Sequence, residues 1–263
     1  MNSKNRGSPR STRGLSVFLM IFLFSSCWVE AAEVRGRVLL EGAPPEPEVF
    51  TIPPKVGKES TRGCGSSQKR SQELLVDSSG GVKNAVVWMD SSGEAASAGS
   101  DRRAGSDAQV VLDQKECEFN PHVILLVPGK FLSIRNSDPV LHNVRIFRES
   151  RAEDIRSSPV LLFHQWQKSD ASELPWLAPE PGRYVVRCGI HPWMYAWVVV
   201  LSSPVCAVTG PSGSFEISGV PAGRHTLHLW HETLGRLDLP FEIGAEGLDL
   251  GLIRLTRKDK ISR

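Results

Sequence analysis

The chain lacks any marked excess of charge, and it has few apolar stretches long enough to matter for a membrane. Its 31 Lys and Arg residues are nearly balanced by 29 Asp and Glu residues, which leaves a net charge of +2 at pH 7. The basic residues are scattered rather than gathered on one face, and this excludes a nucleic-acid-binding protein. After residue 31 no stretch is long and apolar enough to cross a bilayer.

The N-terminal residues have the pattern of an export signal. Residues 1–14 carry four basic side chains and no acidic one, and residues 15–26 are almost wholly apolar. This apolar run is too short for a membrane span and is typical of a secretory signal peptide, here 1–31 with cleavage after Ala31. The residues before Cys27 also approximate a lipid-attachment box, so a lipoprotein anchored through Cys27 is the alternative. Either form predicts an exported protein of the periplasm or cell surface, with membrane contact only through such an anchor.

The most informative segment is 188–194, which reads Cys-Gly-Ile-His-Pro-Trp-Met. It places a thiolate, an imidazole and a thioether at three-residue intervals, and His142 upstream offers a second imidazole. One Cys and two His in a plane, with a weakly held Met on the axis, are the ligands of a blue-copper site. Such a spacing requires a loop that curls around one ion, and Pro192 is consistent with a loop because it resists central-strand pairing. The flanking residues are rich in β-branched and aromatic types and predict strands.

Each of these residues also has an ordinary structural interpretation. A lone Cys is among the residue types most often buried for packing alone. His142 can be a hydrogen-bonded loop histidine, and Met194 can fill a gap in a core. The coincidence of all four between two predicted strands favours a metal site over these separate explanations.

Residues 118–201 resemble the cupredoxins, and within them the amicyanin-like, methylamine-utilisation-protein-like group. The likeness is carried by Phe-Asn-Pro at 119–121, Val-Pro-Gly at 127–129, the strand 131–136 and the His-Asn-Val that begins at His142. It implies a Greek-key β-sandwich that holds one type 1 copper ion and passes single electrons. By the resemblance the ligands are His142, Cys188, His191 and Met194, and Asn143 braces the two ligand loops from the second shell.

The chain is longer than one such domain, which needs roughly 100 of the about 230 residues left after the signal. The 209–230 stretch alternates strands with Gly and Pro turns, and it resembles the carboxypeptidase regulatory-like, transthyretin-like sandwich. Residues 34–42 and 83–89 resemble the opening strands of that module. We therefore expect an all-β protein in which a cupredoxin domain (108–202) is inserted, after a polar linker (91–107), into a second sandwich. That sandwich would be formed by 33–90 together with 203–257, between the 83–89 strand and a 208–230 hairpin. A linear order of three small units is the alternative.

The remaining cysteines divide by compartment and position. Cys64 and Cys117 are a candidate disulfide, because disulfides persist in the oxidising compartment that an exported protein reaches. Spacing alone does not establish this connectivity. Cys206 is expected to be a buried small hydrophobic residue.

The polar stretch 149–175 predicts an excursion over the surface.

A copper oxidase or nitrite reductase would need further copper ions on additional histidines. The candidates are His225, His228 and His231, but on the predicted strand alternate side chains point to opposite faces, so the three do not converge. His122 is expected to be exposed. The sequence therefore predicts a non-enzymatic electron carrier.

The resemblance implies a redox partner such as a c-type cytochrome or a dehydrogenase. Pro192, Trp193 and Tyr195 are expected to form an apolar rim where the His191 imidazole approaches solvent. The alternative is a binding or structural sandwich protein with a vestigial or incidental copper site.

Overall fold

The computed structural model describes residues 32–57, 59–90, 109–149 and 159–257. All the regular structure in these ranges is β-strand, which confirms the predicted all-β class, and none of it is a helix that could cross a membrane. The predicted signal peptide with Cys27 and the predicted linker 91–107 lie outside the described residues.

Twenty strands make up the described part of the chain. In chain order they are β1 (Ala32–Leu40), β2 (Val49–Thr51), β3 (Lys55–Val56), β4 (Glu59–Ser60), β5 (Gln68–Arg70), β6 (Val86–Met89), β7 (Val110–Lys115), β8 (Glu118–Asn120), β9 (Val123–Leu126), β10 (Phe131–Asn136), β11 (His142–Arg148), β12 (Val160–Gln167), β13 (Leu174–Leu177), β14 (Gly182–Cys188), β15 (Tyr195–Val200), β16 (Cys206–Val208), β17 (Ser214–Val220), β18 (Gly223–His231), β19 (Gly235–Ile243) and β20 (Leu248–Leu255).

The first sandwich is built from residues 110–200. A five-stranded sheet in the order β12-β11-β14-β15-β9 faces a four-stranded sheet in the order β13-β10-β7-β8. Their apolar side chains form one core, to which Ile134 of β10, Ile146 of β11 and Val186 of β14 contribute fully buried groups. Each such side chain contributes roughly 1.5–3 kcal/mol when it leaves water. The metal ligands proposed from the sequence lie at one end of the five-stranded sheet.

The second sandwich joins strands from both ends of the chain. One sheet has the order β17-β1-β20 and the other the order β16-β6-β18-β19, and a second apolar core lies between them. The N-terminal strands β1 and β6 therefore pair with strands that come after the first sandwich in sequence. This pairing supports the predicted insertion, whose boundaries stay a prediction.

The predicted 208–230 hairpin is wrong. Strands β17 and β18 lie in opposite sheets, because β17 pairs with β1 whereas β18 pairs with β6 and β19. The turn between them, 221–222, leads into Gly223 with a φ of 134°. This is a backbone conformation that glycine adopts readily, and it lets the chain cross from one sheet to the other.

The predicted excursion over 149–175 is only partly found. Residues 150–158 lie outside the described residues, but most of the segment after them belongs to the sheets. Strand β12 pairs with β11, and β13 pairs with β10. The sequence misled here because β12 is an edge strand with exposed apolar side chains, among them Leu161 and Trp166, and so lacks the buried alternation of a central strand.

A small third layer, the 49–70 segment, packs on the first sandwich. It contains two short two-stranded sheets, β2–β5 and β3–β4. A disulfide joins its Cys64 to Cys117 in the turn between β7 and β8, and Ile52 enters the core of the first sandwich. This segment lies over the end of the sandwich that carries the candidate ligands.

Candidate metal centre

The candidate ligands come together because two neighbouring strands end at the same place. His142 is the first residue of β11 and Cys188 is the last of β14, and these strands pair antiparallel with Val144 opposite Cys188. His191 and Met194 lie in the loop between β14 and β15. This loop closes on itself, because the Cys188 N–H donates to the Met194 carbonyl and the Met194 N–H donates to the His191 carbonyl.

Gly189 lets the loop pass close to the side chains of β11. A Cβ atom there would lie 2.3 Å from Oδ1 of Asn143 and 2.7 Å from the guanidinium of Arg145. Any other residue after Cys188 would force the side chains of Asn143 and Arg145 on β11 to move.

Three ligand atoms form a compact triangle at the centre. Nδ1 of His142 lies 3.7 Å from Sγ of Cys188, Nδ1 of His191 lies 3.6 Å from the same sulfur, and the two Nδ1 atoms are 3.1 Å apart. A circle through three atoms at these separations has a radius of about 2.0 Å. Zinc–nitrogen and zinc–sulfur bonds, which set the scale for a first-row ion, are about 2.0–2.3 Å long. The donor set therefore fits a metal ion of this class.

The centre is closed to solvent. His142 and His191 are completely buried, Cys188 is 5% exposed and Met194 is 1% exposed. Met194 belongs to the same apolar core as Cys188 and Ile190. All four ligand residues that the sequence proposed thus lie in one buried region, and three of them point a donor atom at a common point.

The surroundings stabilise the thiolate form of Cys188. Burial by itself raises the pKa of this thiol, but hydrogen bonds from the His142 and His191 rings and from the backbone N–H groups of Asn143 and His191 outweigh it. The pKa falls to about 5. Because the thiolate is the form that binds metals, Cys188 is prepared for coordination at neutral pH.

The pKa of His142 is shifted in the opposite sense from what burial alone would give. Burial lowers it, but the hydrogen bond to the Asp138 carboxylate and the interaction with the Cys188 thiolate raise it above its ordinary value. A metal ion must displace a proton from such an imidazole, so binding is expected to release protons.

Asp138 is a functional residue that the sequence reasoning missed. Its Oδ2 lies 2.9 Å from Nε2 of His142, which leaves Nδ1 to face the centre. Its carboxylate also accepts hydrogen bonds from the N–H groups of Glu116 and Cys117. A carboxylate that fixes the second nitrogen of a histidine ligand is typical of metal sites. The available signal was an acidic residue four positions before His142, in a turn.

Asn143 lies between the two ligand-bearing segments. Its N–H points at Sγ of Cys188 at 3.5 Å, and its carbonyl accepts from the Gly189 N–H at 2.9 Å. The side chain accepts from Nε of Arg145 and donates to the Gln165 carbonyl. Its contacts to the ligand loop are thus made by its backbone, and its amide group holds the neighbouring strands.

The expectation that the His191 imidazole approaches solvent is wrong. The ring is fully buried, and the Cys64–Cys117 disulfide, which joins the 49–70 segment to the first sandwich, lies against it. Trp193 packs against the ring at 5.2 Å between centroids and donates from Nε1 to the Cys117 carbonyl. Gly63 fits so tightly against the loop before His142 that a Cβ there would lie 2.7 Å from Pro139. Of the expected rim, Pro192 is exposed, and Trp193 and Tyr195 are half-buried.

The other histidines do not form a second centre within the described residues. His228 lies between Asp238 and Asp90, at 2.8 and 2.9 Å. His225 bonds the Pro221 carbonyl, and burial lowers the pKa of His231 to about 4. His122 is buried rather than exposed, because its Nε2 pairs with Glu232 at 2.5 Å.

Cys206 is half-buried rather than buried as expected, and burial raises the pKa of its thiol to about 11. Its sulfur contacts the Pro204 carbonyl, and it is in none of the clusters that can hold a metal ion.

The fold and site together define an all-β sandwich protein with a buried His-Cys-His cluster. No protein-family model matches the chain, and no curated protein matches it. Solved structures do match over part of it. A copper-containing nitrite reductase from Thermus scotoductus SA-01 is 18% identical over 36% of this chain and 23% of its own, with a TM-score of 0.29. The chain thus spans less than a quarter of that reductase.

Two smaller proteins match the same share of the chain. A purple cupredoxin from Nitrosopumilus maritimus is 22% identical over 36% of this chain and all of its own, with a TM-score of 0.29. Amicyanin from Paracoccus versutus is 19% identical over 36% of this chain and 84% of its own, with a TM-score of 0.30. Similarities with TM-scores this low support no conclusion about the centre. What the centre can bind is therefore inferred from its own geometry.

Proposed function

We propose that the protein is an exported type 1 copper protein that carries single electrons between redox partners. The observation that supports this most directly is the buried triangle of His142 Nδ1, His191 Nδ1 and Cys188 Sγ, with Met194 buried in the same core. Two imidazoles and a thiolate around one point, together with a weakly bound thioether, are the donor set of blue-copper sites. Copper bound there would supply a reversible one-electron couple.

Contacts around the centre hold the ligand side chains in place, so that they would move little when a bound ion gains or loses an electron. Two backbone N–H groups, from Asn143 and His191, point at the Cys188 sulfur at 3.5 Å. Asp138 fixes the orientation of His142, and the hydrogen bonds of the 188–194 loop fix that of His191. Such outer contacts hold the ligands in place and tune the potential of the bound ion. A rigid, dry set of ligands suits electron transfer, because little has to move when the electron arrives.

Location and partners belong to the same proposal. The export signal that the sequence predicts and the disulfide between Cys64 and Cys117 are both consistent with an oxidising compartment such as the periplasm or cell surface. A lipid anchor at Cys27 stays the alternative to a free protein. A c-type cytochrome or a dehydrogenase is the kind of partner that the cupredoxin resemblance implies.

One observation favours a second candidate function. His191 is completely buried, with the disulfide of the 49–70 segment beside it, so this imidazole is not open to a docking partner. A binding or structural sandwich protein, with a vestigial or incidental copper site, needs no such opening. The two candidate functions differ in whether the protein needs Cys188 for copper binding and electron transfer.

The test compares the chain from Ala32 onward with its Cys188→Ser variant after addition of Cu(II). We expect an intense blue thiolate-to-copper band and a type 1 electron-paramagnetic spectrum, both lost in Cys188→Ser. Cys206→Ser is the matched control, since it removes the other free thiol and should leave both spectra unchanged. A colourless wild-type protein without tightly bound copper would favour the structural candidate.

Electron carriage needs a separate measurement. Voltammetry of the copper-loaded chain should show a reversible one-electron wave, which Met194→Leu shifts and Cys188→Ser abolishes. Normal electron delivery to a reconstituted partner by the Cys188→Ser protein would contradict the carrier function.

A further inference from the structure

A second group of metal-binding side chains lies beside the candidate copper centre. Cys64, Cys117 and His191 each offer one ligand atom, and these atoms all lie within 4.8 Å of one another. The three residues are 1%, 0% and 0% exposed. The disulfide between the two cysteines therefore lies directly against a histidine of the candidate copper centre.

The His191 ring has an unused nitrogen. Its Nδ1 faces His142 and Cys188, whereas its Nε2 is buried and has no hydrogen-bond partner among the described residues. A buried polar atom without a partner is uncommon in proteins and calls for an explanation. The sulfur atoms beside the ring are at best weak acceptors while they are joined in a disulfide.

We propose that Cys64, Cys117 and His191 form a Cu(I) site when the two cysteines are in the dithiol form. Thiolates are soft ligands that favour Cu(I). Three donors suit Cu(I), whereas structural zinc sites are almost always completed by four protein ligands. The proposal goes beyond the electron-carrier function and shares with it only the His191 ring.

The dithiol form arises by a defined exchange. A dithiol reductant attacks the Cys64–Cys117 bond, the protein disulfide breaks, and a disulfide forms in the reductant. Two electrons and two protons pass to the protein, one proton to each sulfur. Both protons leave when the thiolates bind Cu(I). The newly made chain has the same dithiol form before the bond is oxidised.

Contacts independent of the disulfide hold both cysteines near the ring. The Asp138 carboxylate accepts from the Cys117 N–H at 2.8 Å, and the Cys117 carbonyl accepts from Trp193. Cys64 is held by the packing of its segment on the first sandwich, because Ile52 lies in the core of that sandwich and a Cβ at the neighbouring Gly63 would lie 2.7 Å from Pro139. The two thiols are thus expected to stay beside His191 once the bond is broken. An ion held by them would lie next to Cys188 and His142, where a copper ion could pass from one set of ligands to the other.

The test uses the full chain carrying Cys188→Ser and Met194→Leu, so that neither sulfur of the candidate copper centre contributes. The protein is prepared anaerobically as the disulfide and as the dithiol, and each form is titrated with Cu(I) against a chromophoric Cu(I) chelator. We expect the dithiol form to bind one more Cu(I) per chain than the disulfide form. Copper X-ray absorption should then show two sulfur neighbours.

Further variants locate the site. Adding Cys64→Ser and Cys117→Ser should remove the extra Cu(I), and adding Cys206→Ser should not. Equal binding by the two redox forms, retention of the extra Cu(I) in the Cys64→Ser/Cys117→Ser protein, or displacement of Cu(I) by equimolar Zn(II) would overturn the proposal. If the quadruple variant does not fold, a copper ion with fewer than two sulfur neighbours in the dithiol form overturns it as well. The blue band of the wild-type disulfide form tests the electron-carrier function separately.

Discussion

Two segments of this protein carry potential metal ligands at the same three-residue interval, and only one of them brings the ligands together. Cys188, His191 and Met194 lie on a loop, where hydrogen bonds fold the backbone back so that the side chains share one buried region. His225, His228 and His231 lie on strand β18, where successive side chains point to opposite faces. Spacing alone therefore does not identify a metal site; the backbone that carries the spacing decides.

The largest expected difference is between two variants, each with one histidine of one segment replaced by alanine. His191→Ala should abolish the blue band, because the proposed centre would lose one of its two imidazole donors. Cu(II) binding should weaken by more than about 100-fold, which is the upper end of the loss when only a hydrogen-bond partner of a ligand is removed. His228→Ala should leave the band unchanged. Copper titrations of the two variants check this, and a lost band in His228→Ala would contradict the comparison.

The 188–194 loop, unlike strand β18, lies beside the Cys64–Cys117 disulfide. Replacing both Cys64 and Cys117 by Ser should lower the free energy of unfolding by about 2–4 kcal/mol, because the disulfide closes a long loop in the unfolded chain. The cysteines are 53 residues apart in sequence. Urea unfolding monitored by tryptophan fluorescence measures the change. Cys206→Ser, which breaks no disulfide, should change the stability much less.

A smaller effect is expected at Asp138. Asp138→Asn keeps the shape of the side chain but removes the charge that raises the pKa of His142. The pKa of His142 in the metal-free protein should fall, and copper affinity should drop about 10–100-fold as the ring loses its fixed orientation. NMR titration of His142 and a copper competition assay test the two parts. An unchanged pKa would show that Asp138 does not act through His142.

The smallest expected effects are pH-dependent and oppose each other on one strand. Burial lowers the pKa of His228, but Asp238 and Asp90 outweigh it and raise the pKa above its ordinary value. Its contribution to stability is therefore complete below the unfolded pKa of about 6.5 and is lost as the pH rises through the folded pKa. The pKa of His231 is lowered to about 4, so its contribution is present above about 6.5 and is lost as the pH falls towards 4.

Asp238→Asn should weaken the first of these dependences, because only Asp90 then raises the pKa of His228, and it should leave the second unchanged. Thermal unfolding between pH 4 and 8, with His228→Ala as the matched control, separates them. An identical pH profile in wild-type protein and Asp238→Asn would contradict the role of the carboxylate.

Local patterns were sufficient for the ligand loop and for the strands that flank it. The β-branched runs on both sides of 188–194 are strands β14 and β15, and His142 lies at the start of β11 as the turn before it indicated. These features depend on residues close in sequence, which is where periodicity and turn chemistry are informative.

The features that the sequence did not predict depend on distant contacts. The cover over His191 comes from residues more than 120 positions upstream, so nothing near the loop signals that the imidazole is buried. His122 is buried because Glu232, far along the chain, pairs with it. Strands β17 and β18 are separated by a short turn that fits a hairpin, and only their partners β1 and β6 determine that they lie in different sheets.

The buried pair of His122 and Glu232 has a consequence for how the protein holds together. Glu232 comes directly after the last residue of β18 in the second sandwich, and its other oxygen accepts from Nε1 of Trp197 in β15 of the first. Trp197 also packs edge-on against Trp230 of β18. Separating the sandwiches would break both of these hydrogen bonds and expose the Trp197 ring, which lies three residues after Met194, to water. The second sandwich thus supports the strand that follows the 188–194 loop. A 108–202 fragment made alone would lack this support.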